Sequence, residues 1–111
     1  MHEHAFAAEI ADSVLERATG RRVTGIKLSI GAFSGVVEDP LRFYLDLILE
    51  EKGLKGVEIA VRTVPARCRC ACGNEYEILG FTELCPKCGG YDRRIEGGRE
   101  CVIESAEVED A

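Results

Sequence analysis

Five of the six cysteines in this chain of 111 residues lie between positions 68 and 88. In the segment Cys85-Pro-Lys-Cys88, two thiolates are spaced to bind one ion, and the following Gly89 permits the tight turn that directs backbone N–H groups at sulfur. We call such a cysteine pair with its glycine a half-site. Cys72-Gly73 has the form of the second cysteine and the glycine of another half-site. Two such half-sites predict a tetrahedral zinc site in a zinc ribbon, with room for a short hairpin over residues 76–81 between them.

The sequence leaves the fourth zinc ligand open between two cysteines. A regular first half-site would have cysteine at position 69, where the chain has Arg69, and cysteines stand on both sides of it. Cys70 would form a short chelate with Cys72, whereas Cys68 would form a looser loop with three intervening residues. We favour the shorter chelate. The predicted zinc ligands are therefore Cys70, Cys72, Cys85 and Cys88, with Cys68 as the alternative to Cys70.

A site closed by four thiolates predicts a structural metal, because it leaves no open coordination position for chemistry. Disulfides fit less well, since no export signal is evident, and a redox pair lacks the expected strand–motif–helix context. Cys101 falls in a strand pattern and is expected to be a small packed or edge residue.

The first four residues, Met1-His2-Glu3-His4, carry both histidines of the chain. The Met1 amine, the His2 backbone amide and the His2 imidazole can form fused chelate rings, and the Glu3 amide could complete a square plane, which suits Ni(II) or Cu(II). Because the amine and the imidazole must lose protons to bind, affinity should fall with pH. The alternative is a frayed polar terminus. His4 is either a further ligand or an exposed residue of the first helical turn.

Two helices and three strands are expected around these sites, from apolar residues at helical spacing and from alternating polarity. The helices cover residues 5–18 and 40–52, and the strands cover residues 22–31, 56–64 and 100–109. Asp39 and Pro40 predict the start of the second helix, as N-cap and first helical residue. The first strand is expected to bury one face, formed by Thr24, Ile26, Leu28 and Ile30.

The fold class predicted from this order is α+β, a three-stranded sheet with two helices plus an inserted zinc-ribbon module. Residues 1–65 and 100–111 would form the α/β metal-binding domain, and residues 66–99 the zinc-ribbon domain. The inserted segment has few large aliphatic residues, so it needs a metal to fold.

Composition excludes several function classes. The net charge of −6 argues against a nucleic-acid-binding protein, which would need a basic surface to neutralise phosphates. No apolar run approaches membrane-spanning length, so no membrane partner is expected. With no secretory signal, the chain is expected to be cytoplasmic. No catalytic constellation or phosphate-binding glycine loop is present, which predicts that it is not an enzyme.

Four segments resemble the HypA/HybF family of hydrogenase nickel-incorporation proteins. They are Met1-His2-Glu3, residues 22–35, residues 72–77, and Cys85-Pro-Lys-Cys88 with Gly89. The resemblance covers nearly the whole chain, although the first cysteine half-site departs from the family's usual spacing at Arg69.

The resemblance implies a metallochaperone whose Met1, His2 and Glu3 hold Ni(II) transiently, with His2 as the main ligand, while the cysteines hold structural Zn(II). The zinc ligands that the resemblance carries over are Cys72, Cys85 and Cys88, and it leaves the fourth open. It further implies a maturation GTPase as partner and the large subunit of [NiFe]-hydrogenase as recipient, with urease also served in some members. The alternative is a zinc-ribbon adaptor, binding protein or nucleic acid, with no nickel function.

Overall fold

The structure, a computed structural model, describes residues 3–110 and has two helices and six strands within them. Their bounds are α1 Glu3–Ala18, β1 Arg22–Gly31, α2 Glu38–Glu51, β2 Glu58–Val64, β3 Ala66–Cys70, β4 Glu75–Ile78, β5 Arg93–Glu96 and β6 Cys101–Glu109. The predicted α+β class is confirmed, as are the two helices and the three predicted strands within a few residues at their ends. Within residues 3–110, neither helix has the length and hydropathy needed to cross a membrane.

The first sheet has the order β2-β1-β6, with β1 parallel to β2 and antiparallel to β6. Both helices contribute their apolar sides to one core with the inner face of this sheet. The central strand β1 thus pairs with β2 on one side and with β6 on the other.

The buried face of β1 differs from the prediction at one position. Val23, rather than Thr24, is buried in the core, at 2% exposure, together with Ile26, Leu28 and Ile30. The pairing with β6 shifts register between Val23 and Gly25, which marks a β-bulge. A bulge inserts one extra residue into the strand. The side chains before the bulge therefore point to the face opposite to the one that strict alternation predicts.

Helix α2 begins two residues earlier than predicted, and Asp39 is not its N-cap. The N-cap is Val37, which makes no side-chain cap hydrogen bond. Instead, the backbone N–H of Val37 donates to a carboxylate oxygen of Glu3, at 3.0 Å. A glutamate of a capping box makes the same contact from within its own helix; here it comes from α1, 34 residues away.

The second sheet has the order β4-β3-β5 and is built from the segment between β2 and β6. The predicted hairpin over residues 76–81 is wrong, because Glu75–Ile78 forms one strand that pairs with β3 across the turn at residues 71–74. The buried apolar cluster of this sheet is small and is formed by Ala66, Cys68 and Ile78.

The loop after β1 joins the two sheets. The backbone N–H groups of Gly31, Ala32 and Phe33 donate to the carbonyl oxygens of Glu100, Val64 and Gly98, respectively, at 2.7–2.9 Å. The Phe33 ring also stacks on Phe81 with a centroid separation of 4.4 Å. The loop after β1 therefore contacts the connection between β2 and β3 and the connection between β5 and β6. Through Phe81 it also contacts the loop that precedes Cys85.

Replacing Gly31 by alanine should destabilise this junction. A Cβ atom at Gly31 would lie 2.3 Å from the backbone oxygen of Gly98, so the backbone must move. We expect a loss of about 1–3 kcal/mol in the free energy of unfolding, measured by urea denaturation. Gly25→Ala, in the same strand, is the matched control, since its Cβ would meet other atoms at 3.6 Å. Equal stability of the two variants would contradict the close approach at Gly31.

Candidate metal centre

Four cysteines from three parts of the second sheet meet in one cluster. The Sγ atoms of Cys70, Cys72, Cys85 and Cys88 all lie within 4.8 Å of one another. Cys70 ends β3 and Cys72 lies in the turn that follows, whereas Cys85 and Cys88 come from the loop between β4 and β5. The structure therefore brings together the four residues that the sequence favoured as ligands.

The sulfur separations fit a tetrahedral zinc ion. Zn–S bonds of about 2.3 Å in tetrahedral geometry place the sulfurs roughly 3.8 Å apart. The Sγ atoms of Cys72 and Cys85 are 3.8 Å apart, and those of Cys70 and Cys88 are 3.4 Å apart. Both distances are far longer than a disulfide bond of about 2.05 Å, and all six cysteines are free thiols. Four soft thiolates at tetrahedral spacing are a donor set typical of zinc or of an iron–sulfur centre.

The alternation of β3 explains why Cys70 reaches the cluster and its neighbour Arg69 does not. Successive side chains of a strand point to opposite faces. Arg69 therefore points to the outer face, where its guanidinium lies 2.6 Å from the Glu75 carboxylate and lowers the pKa of that group. Cys68 shares the inner face with Cys70, but it is buried in the small apolar cluster, at 3% exposure.

A glycine turn follows each of the two half-sites, and the second turn directs a backbone N–H group at a sulfur. Gly73 and Gly89 follow the two half-sites with φ of 95° and 72°, in the left-handed region that favours glycine. The N–H of Gly73 donates to the carbonyl oxygen of Cys70, and the N–H of Gly89 donates to the carbonyl oxygen of Cys85, both at 2.8 Å. The N–H of Gly90 donates to the Cys88 sulfur at 3.3 Å.

The thiols of the two half-sites differ in pKa. Backbone N–H groups, first that of Cys88 and then that of Lys87, lower the pKa of Cys85 to about 6 against the opposing effect of burial. At Cys70 the N–H of Cys72 also lowers the pKa, but burial and the three neighbouring sulfurs outweigh it and raise the pKa to about 12. A bound dication would favour the thiolate form of all four.

The predicted nickel residues Met1 and His2 lie outside the described residues. Glu3 is the first residue of α1 and is buried, at 3% exposure, with its carboxylate on the Val37 N–H. His4 is exposed, and its ring lies edge-on to Tyr44 with centroids 5.1 Å apart. The structure thus places residues 3 and 4 against the first two turns of α2.

Sequence reasoning did not find three groups that contact these sites. Asn74 donates to the Cys85 sulfur at 3.6 Å, Tyr44 packs against His4, and the Val37 N–H binds Glu3. Each contact joins residues far apart in the chain, so no local spacing signals it. Cys101 is half-buried at the start of β6 and packs against the main core, away from the sulfur cluster.

Comparison with known proteins shows the family of this chain. The model of a family described as hydrogenase/urease nickel incorporation, metallochaperone, HypA matches residues 1–108. The hydrogenase maturation factor HypA of Geobacter metallireducens is 34% identical over 110 residues, covering 98% of this chain and 100% of the relative. That of Caldanaerobacter subterraneus subsp. tengcongensis is 36% identical over 114 residues, with 98% and 100% covered.

The fold is shared with solved structures as well. The solution structure of the nickel metallochaperone HypA from Helicobacter pylori matches with a TM-score of 0.66 at 18% identity, covering 100% of both chains. With a family model over nearly the full length, and relatives above 30% identity over their whole length, the assignment does not depend on one motif. This chain belongs to the HypA family of hydrogenase and urease nickel-incorporation metallochaperones.

Proposed function

We propose that this chain binds one Ni(II) ion through Met1, His2 and Glu3, and releases it during maturation of [NiFe]-hydrogenase, with urease as a second client. The observation that carries the proposal is the family match, which begins at residue 1 and so includes the Met-His-Glu segment. The Met1 amine and the His2 amide and imidazole supply three nitrogens in fused chelate rings, a donor set that suits square-planar Ni(II).

The contact made by Glu3 supports a positioning role for its carboxylate. One carboxylate oxygen accepts the Val37 N–H and the side chain is buried. That oxygen therefore holds the beginning of α1 against the beginning of α2, and the backbone amide of Glu3 is the group that we assign to the fourth corner of the nickel plane.

The cysteine cluster has a separate role in this proposal. Cys70, Cys72, Cys85 and Cys88 would hold Zn(II), which supplies a cross-link between β3 and the loop that leads to β5. Residues 66–99 would be the zinc-ribbon domain, and residues 1–65 with 100–111 the nickel-binding domain. The proposed activity is binding and transfer, and no residue is assigned a catalytic role.

The proposed partners follow the family. A maturation GTPase would act with this chain, and the hydrogenase large subunit would receive the nickel, in the cytoplasm, where the sequence predicts the chain to reside. The relatives are named hydrogenase maturation factors, which supports a client of this kind.

Changing the nickel ligands should abolish nickel binding without unfolding the chain. In His2→Gln, or in a chain whose α-amine is acetylated, the chelate loses one nitrogen, so we expect Ni(II) affinity to fall at least about 100-fold. Isothermal titration calorimetry of untagged protein measures this. His4→Ala is the matched control and should retain stoichiometric binding. Unchanged affinity in both N-terminal variants would rule out the assigned site.

Nickel affinity should fall as pH falls. The α-amine and the imidazole have reference pKa values of about 7.7 and 6.5, and both bind nickel only when deprotonated. Each proton that must leave makes binding weaker at low pH, so below pH 6.5 we expect a loss of about 100-fold or more per pH unit. Titrations between pH 5.5 and 8 test this. A flat profile over that range would mean that neither group coordinates the ion.

Single cysteine variants can show whether Cys70 or Cys68 is the fourth zinc ligand. Cys70→Ala should lower metal affinity and reduce the thiolate charge-transfer absorption of the Co(II)-substituted protein, because one sulfur is lost. Cys68→Ala should retain the four-sulfur spectrum and lose only stability, about 1–2 kcal/mol, from its place in the small apolar cluster. The reverse pattern would transfer the ligand role to Cys68.

A further inference from the structure

Helix α2 is apolar on two opposite sides. Leu41, Leu45 and Leu49 are fully buried in the core, whereas Phe43 and Leu47, one turn apart on the opposite side, are 63% and 44% exposed. A surface helix ordinarily presents polar residues to water on that side, and a helix that is apolar all round is usually covered all round. We call Phe43 and Leu47, with the carboxylates that border them, the outer face of α2.

The charged residues of α2 that border the outer face are all negative. Asp39, Asp46 and Glu50 project from the same side of the helix by its 3.6-residue period, and Glu51 borders the other side. Among residues 3–110, none of these carboxylates forms an ion pair with Lys or Arg.

The helix contains one basic residue, Arg42, and it is engaged elsewhere. Its guanidinium donates to the Glu38 carboxylate at 2.8 Å and to the carbonyl oxygen of Ile59 at 2.7 Å. It therefore does not offset the bordering carboxylates, and the outer face is an apolar centre within an acidic rim.

Described contacts connect this face to the start of the chain. The His4 ring lies edge-on to Tyr44, at 5.1 Å between centroids, and Tyr44 in turn lies edge-on to Phe43 at 5.3 Å. At the N-terminal end of the helix, Glu3 binds the Val37 N–H. A molecule seated on Phe43 would thus lie beside the residues that immediately follow Met1 and His2.

We propose that the outer face of α2 is the docking surface for a protein that exchanges nickel with this chain, and that this partner presents an apolar patch bordered by Lys or Arg. The nickel-exchange role rests on the proposed function. An apolar contact supplies affinity at the centre of such an interface, and the charged rim supplies orientation and association rate. A second copy of this chain is disfavoured, because it would bring a second set of carboxylates against the same acidic rim.

Two designed helical peptides test the chemistry of the partner. Both carry one leucine stripe, bordered by lysine in one peptide and by glutamate in the other, and fluorescence anisotropy measures their binding to the full-length, metal-loaded chain. We expect the lysine-bordered peptide to bind at least about tenfold more tightly. Phe43→Ser/Leu47→Ser and Asp46→Asn/Glu50→Gln should each weaken that binding by about tenfold. Equal binding of the two peptides would overturn the proposed partner chemistry.

A matched variant localises the effect. Leu79→Ser/Val102→Ser removes two other exposed apolar side chains, 60% and 47% exposed, and should leave peptide binding unchanged. If it weakens binding as much as Phe43→Ser/Leu47→Ser does, the outer face of α2 is not the docking surface. Sedimentation of the unmodified chain provides a second check, because a dimer that Phe43→Ser/Leu47→Ser dissociates would show that the occupant is a second copy.

Nickel titration of the same proteins separates this inference from the proposed function. Phe43→Ser/Leu47→Ser should bind nickel as the unmodified chain does. Normal nickel uptake, with peptide binding that does not depend on Phe43 and Leu47, overturns the docking surface and leaves the proposed function intact. An unmodified chain that binds the lysine-bordered peptide through α2 but takes up no nickel overturns both the proposed function and the nickel-exchange role.

Discussion

Four thiols within one small volume can persist as thiolates only where a cation offsets the charge that would collect on the sulfurs. The cluster of Cys70, Cys72, Cys85 and Cys88 is subject to this constraint, and the rest of the second sheet depends on it. The apolar cluster beneath it contains only Ala66, Cys68 and Ile78 as buried members, too little to offset the conformational entropy lost by the segment. Backbone N–H groups favour the charged form at Cys85, while burial opposes it at Cys70.

The first and second sheets are stabilised by different interactions. The first sheet and its helices bury a continuous apolar core, so their geometry does not require an ion. The second sheet has a charged outer face, on which Arg69 pairs with Glu75, and a small interior. The loop after β1 links the two through backbone hydrogen bonds and the Phe33–Phe81 stack.

Much of this arrangement could be predicted from local patterns, because helices, strands and cysteine half-sites have short repeats. The choice of Cys70 over Cys68 was predicted on chelate length. In the structure Cys70 lies in the sulfur cluster at the end of β3, whereas Cys68, on the same face, lies in the small apolar cluster. The errors have long-range causes. Strict alternation predicts Thr24 in the core, but pairing with β6 introduces a bulge that no local pattern signals. Local residue types predict Asp39 as the N-cap, but the carboxylate that contacts the start of α2 belongs to Glu3, far away in the sequence. For the same reason the aromatic row from His4 through Tyr44 to Phe43 could not be seen in the sequence.

The position of β6 has a consequence for how the chain becomes ordered during synthesis. β1 is the middle strand of the first sheet, yet its antiparallel neighbour is Cys101–Glu109, which leaves the ribosome only after the whole cysteine segment. Until then one edge of β1 stays without its partner, and the cysteine segment emerges beside an unfinished sheet. Such late, non-local pairing is slow, because a long loop must close before the contact forms. An ion that orders the cysteine segment early would shorten that loop and bring the last strand to its place.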